Sequence, residues 1–210
     1  MIALNILEII FLFFLFAFSH TWLASRSLKI SLAEKIGNKI AFYRLFYNIT
    51  SICFLTVFYT LSPKPDVIIY DLQYPYDLVT FALQVLSLFG LIWAARNIDL
   101  KEFIGIRQIE RYIDNKYSET DLDEKPNLKI KGAFKLVRHP IYLFSILFLG
   151  FRPQMNLFYF VTFICIVIYF FVGSVYEERK LVEIFGDVYL RYQNNVNKFF
   201  PMKKFFRANK

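Results

Sequence analysis

Histidine and cysteine are scarce, with only His20, His139, Cys53 and Cys165 among 210 residues. Both cysteines lie inside apolar runs without CxxC spacing, so neither a thiolate metal site nor a disulfide pattern is expected. Two widely separated histidines exclude a His-rich metal centre, and no metal partner is expected. Glycine and proline are also sparse, at 7 each, which excludes a low-complexity or linker-like chain. Acidic residues are few as well, 17 against 25 basic ones, for a net charge of +8. Such an excess can signal nucleic acid. Here the basic residues flank apolar runs, so anionic lipid headgroups are the expected partner and nucleic acid is not.

Apolar residues are plentiful, at 57% of the chain with 20% aromatic. Several runs approach the roughly 20 residues needed to cross a bilayer. The abundant Phe and Tyr suit lipid-facing and interfacial positions, so they carry no cofactor signal. The expected fold class is all-α: a polytopic membrane helix bundle with a cytoplasmic amphipathic C-terminal helix. Five spans are read, over Ala3–Ala24, Ala41–Leu61, Leu78–Ala95, Ile141–Phe151 and Leu157–Val175. The fourth has only eleven residues and is read as one arm of a helical hairpin broken at Arg152-Pro153. The N-terminus has no basic n-region and its apolar run is too long for a signal sequence, so it is expected to be a retained span.

Lys and Arg number 4 in loop one, 1 in loop two, 10 in loop three (Arg96–His139), 1 in the hairpin turn and 8 after span five. By the positive-inside rule this alternation puts loop three and the C-terminus in the cytoplasm. The chain is read as a single membrane domain, 1–210. Within it, 1–95 holds three spans, 96–139 a cytoplasmic loop that begins the functional site, and 140–201 the hairpin and C-terminal helix. Loop three contains a short amphipathic segment, Glu102–Ile109, and a polar, turn-rich piece, Ser118–Asn127. Three features in the N-terminal spans have bland and functional readings. Glu8 is expected to snorkel to the interface. His20 is expected to be a packing or interfacial histidine. Tyr43, Arg44, Tyr47 and Asn48 form a polar patch that could face a cofactor cavity or the headgroups.

Lys131–Tyr142 organises the chain. Pro140 has a fixed φ and no N–H, which suits the first position of a helix. His139, before proline, is pushed toward an extended conformation. Arg138 and His139 should therefore lie at a helix mouth whose dipole and free N–H groups favour an anion. A basic membrane-interface anchor is the plainer alternative. After span five, Glu178, Leu181, Val182, Phe185, Tyr189 and Tyr192 recur at helical spacing and predict an amphipathic helix continuing out of the span. Adjacent Glu177 and Glu178 point about 100° apart on a helix. At most one is expected to aim into a given cavity, where it needs a cationic partner such as Arg138.

Gly132-x-Phe134-x-x-Val137-Arg138-His139-Pro140-x-Tyr142, an apolar hairpin, then Glu177-Glu178-x-x-Leu181-x-x-x-Phe185-Gly186-x-x-Tyr189-x-x-Tyr192 resembles the isoprenylcysteine carboxyl methyltransferase superfamily of integral membrane methyltransferases. The upstream segments His20–Ser25, Tyr43-Arg44 and Phe103–Gln108 look more like its bacterial branch, which includes methanethiol S-methyltransferase and NnrU-like proteins. The resemblance implies S-adenosylmethionine (SAM) as methyl donor and a bacterial inner-membrane location with a cytoplasmic site. Carried onto matching positions, it implicates Leu128, Phe134, His139, Tyr142 and Glu177 in cofactor binding. Arg138 would orient the acceptor or favour its thiolate, and Glu178 is the alternative carboxylate to Glu177. Phe134 stands where the family usually has Tyr. Gly173 stands near where the isoprenylcysteine enzymes place an arginine for the substrate carboxylate. The expected acceptor is therefore small or lipophilic, a thiol first, with a prenylcysteine or a lipid amine as alternatives. Two other functions compete: an NADPH-dependent membrane reductase of sterol type, and a non-enzymatic membrane assembly protein.

Overall fold

The computed structural model describes residues 1–118, 122, 128 and 130–201. The chain is almost entirely helical and divides into two compact units. The first comprises residues 1–64 and 98–127, the second residues 65–97 and 128–210. Among the described residues four helical stretches are long and apolar enough to cross a membrane, and their large apolar side chains are mostly exposed, as a lipid-facing surface requires.

The first unit contains α1 (Ile2–Ala24), α2 (Arg26–Ile36), α3 (Tyr43–Leu61), α5 (Leu100–Ile104) and α6 (Ile106–Ile113). Ile9 and Phe13 are buried on α1, and Phe13 meets Phe58 of α3 edge-to-face at 5.6 Å. Loop one, read from sequence only as a basic connection, is ordered as α2 and a 3-10 turn over Gly37–Phe42. There Ala33, Ile40, Ala41 and Tyr117 make a small core. The amphipathic segment of loop three is two helices, because Gly105 takes φ +102° between them. A Cβ at Gly105 would come within 2.8 Å of the Leu45 backbone nitrogen, so only glycine fits. Of the turn-rich piece Ser118–Asn127, all but Ser118 and Leu122 lie outside the described residues.

Three residues of the polar patch on α3, Tyr43, Arg44 and Tyr47, line a small cleft with Lys29, Gln108 and Tyr117, and the patch also ties α3 to α5. Arg44 Nε donates to the Phe103 carbonyl (2.9 Å), and Asn48 Nδ2 to the carbonyls of Phe103 (3.2 Å) and Ile104 (3.0 Å). These side chains satisfy carbonyls left open at the end of α5. Tyr43 donates to the Leu23 carbonyl (2.8 Å). His20 is a packing histidine. Its Nδ1 lies 2.9 Å from Ser51 Oγ and its Nε2 2.7 Å from the Tyr47 hydroxyl.

The second unit contains β1 (Ile68–Asp71), α4 (Tyr76–Ala95), α7 (Pro140–Gly150), β2 (Gln154–Asn156), α8 (Leu157–Phe185) and α9 (Asp187–Asn195). The antiparallel β1–β2 pair departs from the all-α expectation. Apolar helices α7 and α8 are joined by an irregular turn whose backbone groups need partners. The extended Ile68–Asp71 stretch supplies them, and Tyr70 adds a hydroxyl bond to the Arg152 carbonyl (3.0 Å). Asn156 then caps α8 by accepting from the Tyr159 N–H (2.9 Å).

Helix α7 packs along α4. The Phe144 ring lies so close to Gly90 that an added Cβ would fall 2.4 Å from it, and Gln84 Nε2 donates to the Phe148 carbonyl (3.0 Å). With 11 residues α7 is about 16 Å long, half a hydrocarbon core. It forms the short arm of the hairpin. Helix α8 runs 29 residues, through Glu177 and Glu178, and stops where Gly186 takes φ +52°. The amphipathic run read as one helix is thus divided at Gly186, and α9 carries Tyr189 and Tyr192.

Candidate functional site

Helix α7 starts at Pro140, and His139 is its N-cap with φ −120° and ψ 65°, outside the α region as the following proline requires but short of the extended conformation expected. Just upstream, residues 137–139 lie beside the segment that follows α9. Val137 bridges Asn197 in parallel, Arg138 N–H donates to the Asn197 carbonyl (2.8 Å), and His139 N–H to the Lys198 carbonyl (3.1 Å). This short ladder fixes the direction of two consecutive side chains. Both meet the end of α8.

Arg138 grips Glu178 with two nitrogens, Nε to Oε1 at 2.7 Å and Nη2 to Oε2 at 3.2 Å. Its Nη1 donates to the carbonyls of Gln193 (3.0 Å) and Val196 at the end of α9. Both charged side chains are about nine-tenths buried. Gln193 Nε2 also donates to Glu178 Oε2 (3.1 Å), and Lys198 Nζ lies 3.9 Å from the same oxygen. A buried carboxylate held this completely is stable only because each oxygen is met by donors.

His139 stands between the two glutamates. Its Nε2 is 3.0 Å from Glu178 Oε1 and its Nδ1 3.5 Å from Glu177 Oε2. The two carboxylates diverge on α8, yet their side chains are long enough to flank one imidazole. The expectation that only one would face the site therefore needs correcting: both do, at different depths. Burial by itself disfavours the imidazolium. The hydrogen bonds and negative charges of Glu177 and Glu178 outweigh it, so the His139 pKa is raised above its ordinary 6.5.

Glu177 is half exposed, at 48% of its side chain. The Tyr142 hydroxyl donates to its Oε2 (3.0 Å), while its Oε1 takes part in none of these contacts. The Tyr142 ring stacks on His139 (5.2 Å between centroids) and on Phe170 (4.5 Å). Phe134 contributes through its backbone: its carbonyl accepts from the Tyr192 hydroxyl (2.6 Å). Burial pushes the Tyr192 hydroxyl up to about 12, so it remains a neutral donor at all ordinary pH. Leu128 is half buried in the same unit and enters none of these contacts.

The structure therefore joins Arg138, His139, Tyr142, Glu177 and Glu178 in one cluster. Gln193 and Lys198 belong to it and were not foreseen. Neither has a motif of its own. The one available signal was that Gln193 falls one turn after Tyr189 on the face that also carries Tyr192. Among the described residues no group of His, Cys, Asp and Glu has the arrangement of a metal site.

The chain is 28% identical to methanethiol S-methyltransferase 1 of Bradyrhizobium diazoefficiens, over 90% of its own length and 65% of that protein. Its relatives share that name, and the chain is similar to two of them along most of its length. The protein of that name from Crocosphaera subtropica is 27% identical over 89% of this chain and 71% of its own. That of Pseudomonas deceptionensis is 35% identical over 37% of this chain and 32% of its own. The chain thus spans just under two thirds of the Bradyrhizobium relative and about a third of the Pseudomonas one. No family model matches the chain. No solved structure matches it either. The relatives agree with the resemblance drawn from Arg138-His139-Pro140 and Glu177-Glu178.

Proposed function

We propose that this chain transfers a methyl group from SAM to a thiol at the cytoplasmic face of a bacterial inner membrane. The observation that carries this reading is the similarity to methanethiol S-methyltransferases along 90% of the chain. The residues present fit the donor. SAM has an ammonium group, ribose hydroxyls and a sulfonium. Glu177 offers a half-exposed carboxylate for the ammonium or a ribose hydroxyl. When bound, the donor supplies an activated methyl: the thiolate sulfur forms the new C–S bond while the methyl–sulfonium bond breaks and leaves its electron pair on the donor sulfur.

The chain's own residues position and polarise. Glu177 Oε1 holds the donor's ammonium or ribose. His139 has both ring nitrogens turned to carboxylates, so it acts by orienting Glu177 and not by holding the donor's carboxylate. Arg138 and Glu178 have their polar atoms engaged with each other and with α9, which makes them positioning residues and not acceptor ligands. Lys198, partly exposed beside them, is the cation that favours ionisation of a nearby thiol, whose proton passes to water. Alignment of this kind can supply roughly 7–11 kcal/mol of the barrier.

The test is calorimetric binding of SAM to the detergent-purified full chain, with methanethiol methylation followed by release of dimethyl sulfide. SAM should bind, and Glu177→Gln should weaken it about ten-fold, or about 1.4 kcal/mol. Its melting temperature should hardly move, because the residue is half exposed. NADPH binding in place of SAM would overturn the proposal in favour of a reductase.

A further inference from the structure

The last turns of α8 present two rows of side chains. Residues seven apart on a helix point within about 20° of each other. Phe170 therefore lies two turns below Glu177, and Phe171 two turns below Glu178. The first row meets Tyr142, whose ring stacks on Phe170 and whose hydroxyl donates to Glu177. The second row meets the segment that follows α9. There Lys198 Nζ lies 5.4 Å from the centre of the Phe171 ring, 5.8 Å from that of Phe199 and 3.9 Å from Glu178 Oε2. His139 stands between the rows, its ring centre 5.2 Å from that of Tyr142 and 5.7 Å from that of Phe199. The Glu177 row and the Lys198 row are two flanks of one imidazole.

Glu178 does not need Lys198. Its oxygens already meet Arg138, His139 and Gln193. At 3.9 Å the ammonium is beyond hydrogen-bond reach of the carboxylate, and among the described residues it makes no hydrogen bond. Its side chain is only 23% exposed. A lysine has three N–H donors, and an ammonium drawn out of water onto two ring faces gains from an anion that those donors can reach. Phe171 belongs to the apolar part of α8 and is 57% exposed, so one approach to Nζ passes a lipid-facing ring. A charged ligand crosses apolar surroundings at high cost. A neutral thiol does not, and it ionises more readily once it reaches a cation. We infer that Lys198, Phe171 and Phe199 form the acceptor subsite, which takes a neutral, membrane-soluble thiol from the lipid side and holds its sulfur as the thiolate. This rests on the thiol methyltransferase reading above and adds the acceptor's place and its route. The rings meet the carbon end of the thiol and Nζ its sulfur, while the thiol proton passes to water at the exposed edge of Lys198. The thiolate sulfur then forms its bond to the transferred methyl, and the products are a methyl thioether and the demethylated donor.

The experiment uses the full chain in detergent with SAM as donor, and reads SAM affinity by calorimetry beside the KM for methanethiol. Lys198→Met should raise that KM about ten-fold or more and leave SAM affinity unchanged. Lys198→Arg should recover most of the loss. Phe171→Gln sits at an exposed position where folding is not at stake, and should raise the KM about three-fold, again without moving SAM affinity. The route is tested with ethanethiol and 2-mercaptoethanesulfonate, which differ by one permanent charge. The sulfonate should be turned over at least about a hundred-fold more slowly. Equal turnover of the two overturns arrival from the lipid side. A methanethiol KM unmoved in both Lys198→Met and Phe171→Gln overturns the subsite. So does a SAM affinity that falls together with the thiol KM in Lys198→Met, which would assign the ammonium to the donor. Each of these results leaves the methyltransferase reading standing. A wild type that binds SAM and methylates no thiol overturns that reading instead.

Discussion

In the first unit Glu102 and Arg111 close a bidentate pair nine residues apart, at 2.9 and 3.0 Å. In the second, Arg138 and Glu178 close one across forty residues, at 2.7 and 3.2 Å. Both pairs are largely buried. The first is local. It ties α5 to α6 around Gly105, with Gln108 donating to Glu102 (3.2 Å). The second draws together the Arg-His-Pro segment, the end of α8 and the end of α9. It also brings a histidine, a tyrosine and a second, half-exposed glutamate that the pair itself does not need. A pair that only holds the fold has no use for a spare carboxylate at the surface. That surplus is what the proposed donor site uses.

The largest expected effect comes from breaking each pair. Arg138→Met leaves Glu178 buried without its cation and opens the carbonyls of Gln193 and Val196, and should cost about 3–5 kcal/mol. Arg111→Met should cost a similar amount for the same reason. The two should differ in SAM binding: lost with Arg138→Met at a temperature where the protein is still folded, kept with Arg111→Met. Thermal unfolding and calorimetry on both variants read this directly. Equal loss of binding in both would remove the contrast between the units.

Much of this contrast was legible beforehand. Long apolar runs are a strong signal, and the four long apolar helical stretches lie where those runs are. Pro140 announced the start of α7 because proline's constraint is local and does not depend on tertiary context. The pairing of Arg138 with a glutamate after the hairpin followed from the cost of leaving a carboxylate alone in a buried layer. Other features needed three dimensions. Ile68–Asp71 is too short and too exposed to show a strand period, and it forms one only because Gln154–Asn156 lies beside it. The α3 patch reads as cavity or headgroup from its own residues, and its carbonyl partners 55 and 59 residues away emerge only in the fold. Gln193 and Lys198 carry no motif, and their roles exist only because α9 turns back at Gly186.

A middle-sized effect separates the units by pH. The His139 pKa is raised in the folded chain, so the protein holds this proton more tightly folded than unfolded. Its stabilisation is complete below pH 6.5 and fades as the pH climbs through the higher folded value. His139→Gln should cost about 1.5–3 kcal/mol near pH 6, the range for hydrogen bonds to charged groups. The gap in melting temperature between wild type and variant should narrow steadily toward pH 9. The Arg111→Met gap should change less over that window, because His139 belongs to the other unit. A His139 gap that widens with pH would mean that the imidazole is held neutral between the two carboxylates.

The smallest effect tests whether α9 is part of the cluster or only leans on it. Tyr192 donates to the Phe134 carbonyl, and its pKa near 12 keeps it a donor throughout. Tyr192→Phe removes one neutral hydrogen bond and leaves the ring in place, so about 0.5–1.5 kcal/mol should be lost. That loss should be independent of pH between 6 and 9, unlike the His139 variant. It should also be less than additive with Arg138→Met, since both substitutions release α9 from the 134–138 segment and the second finds part of the tie already gone. Full additivity would show that Arg138 and Tyr192 hold α9 independently, and the functional cluster would then end at Glu178.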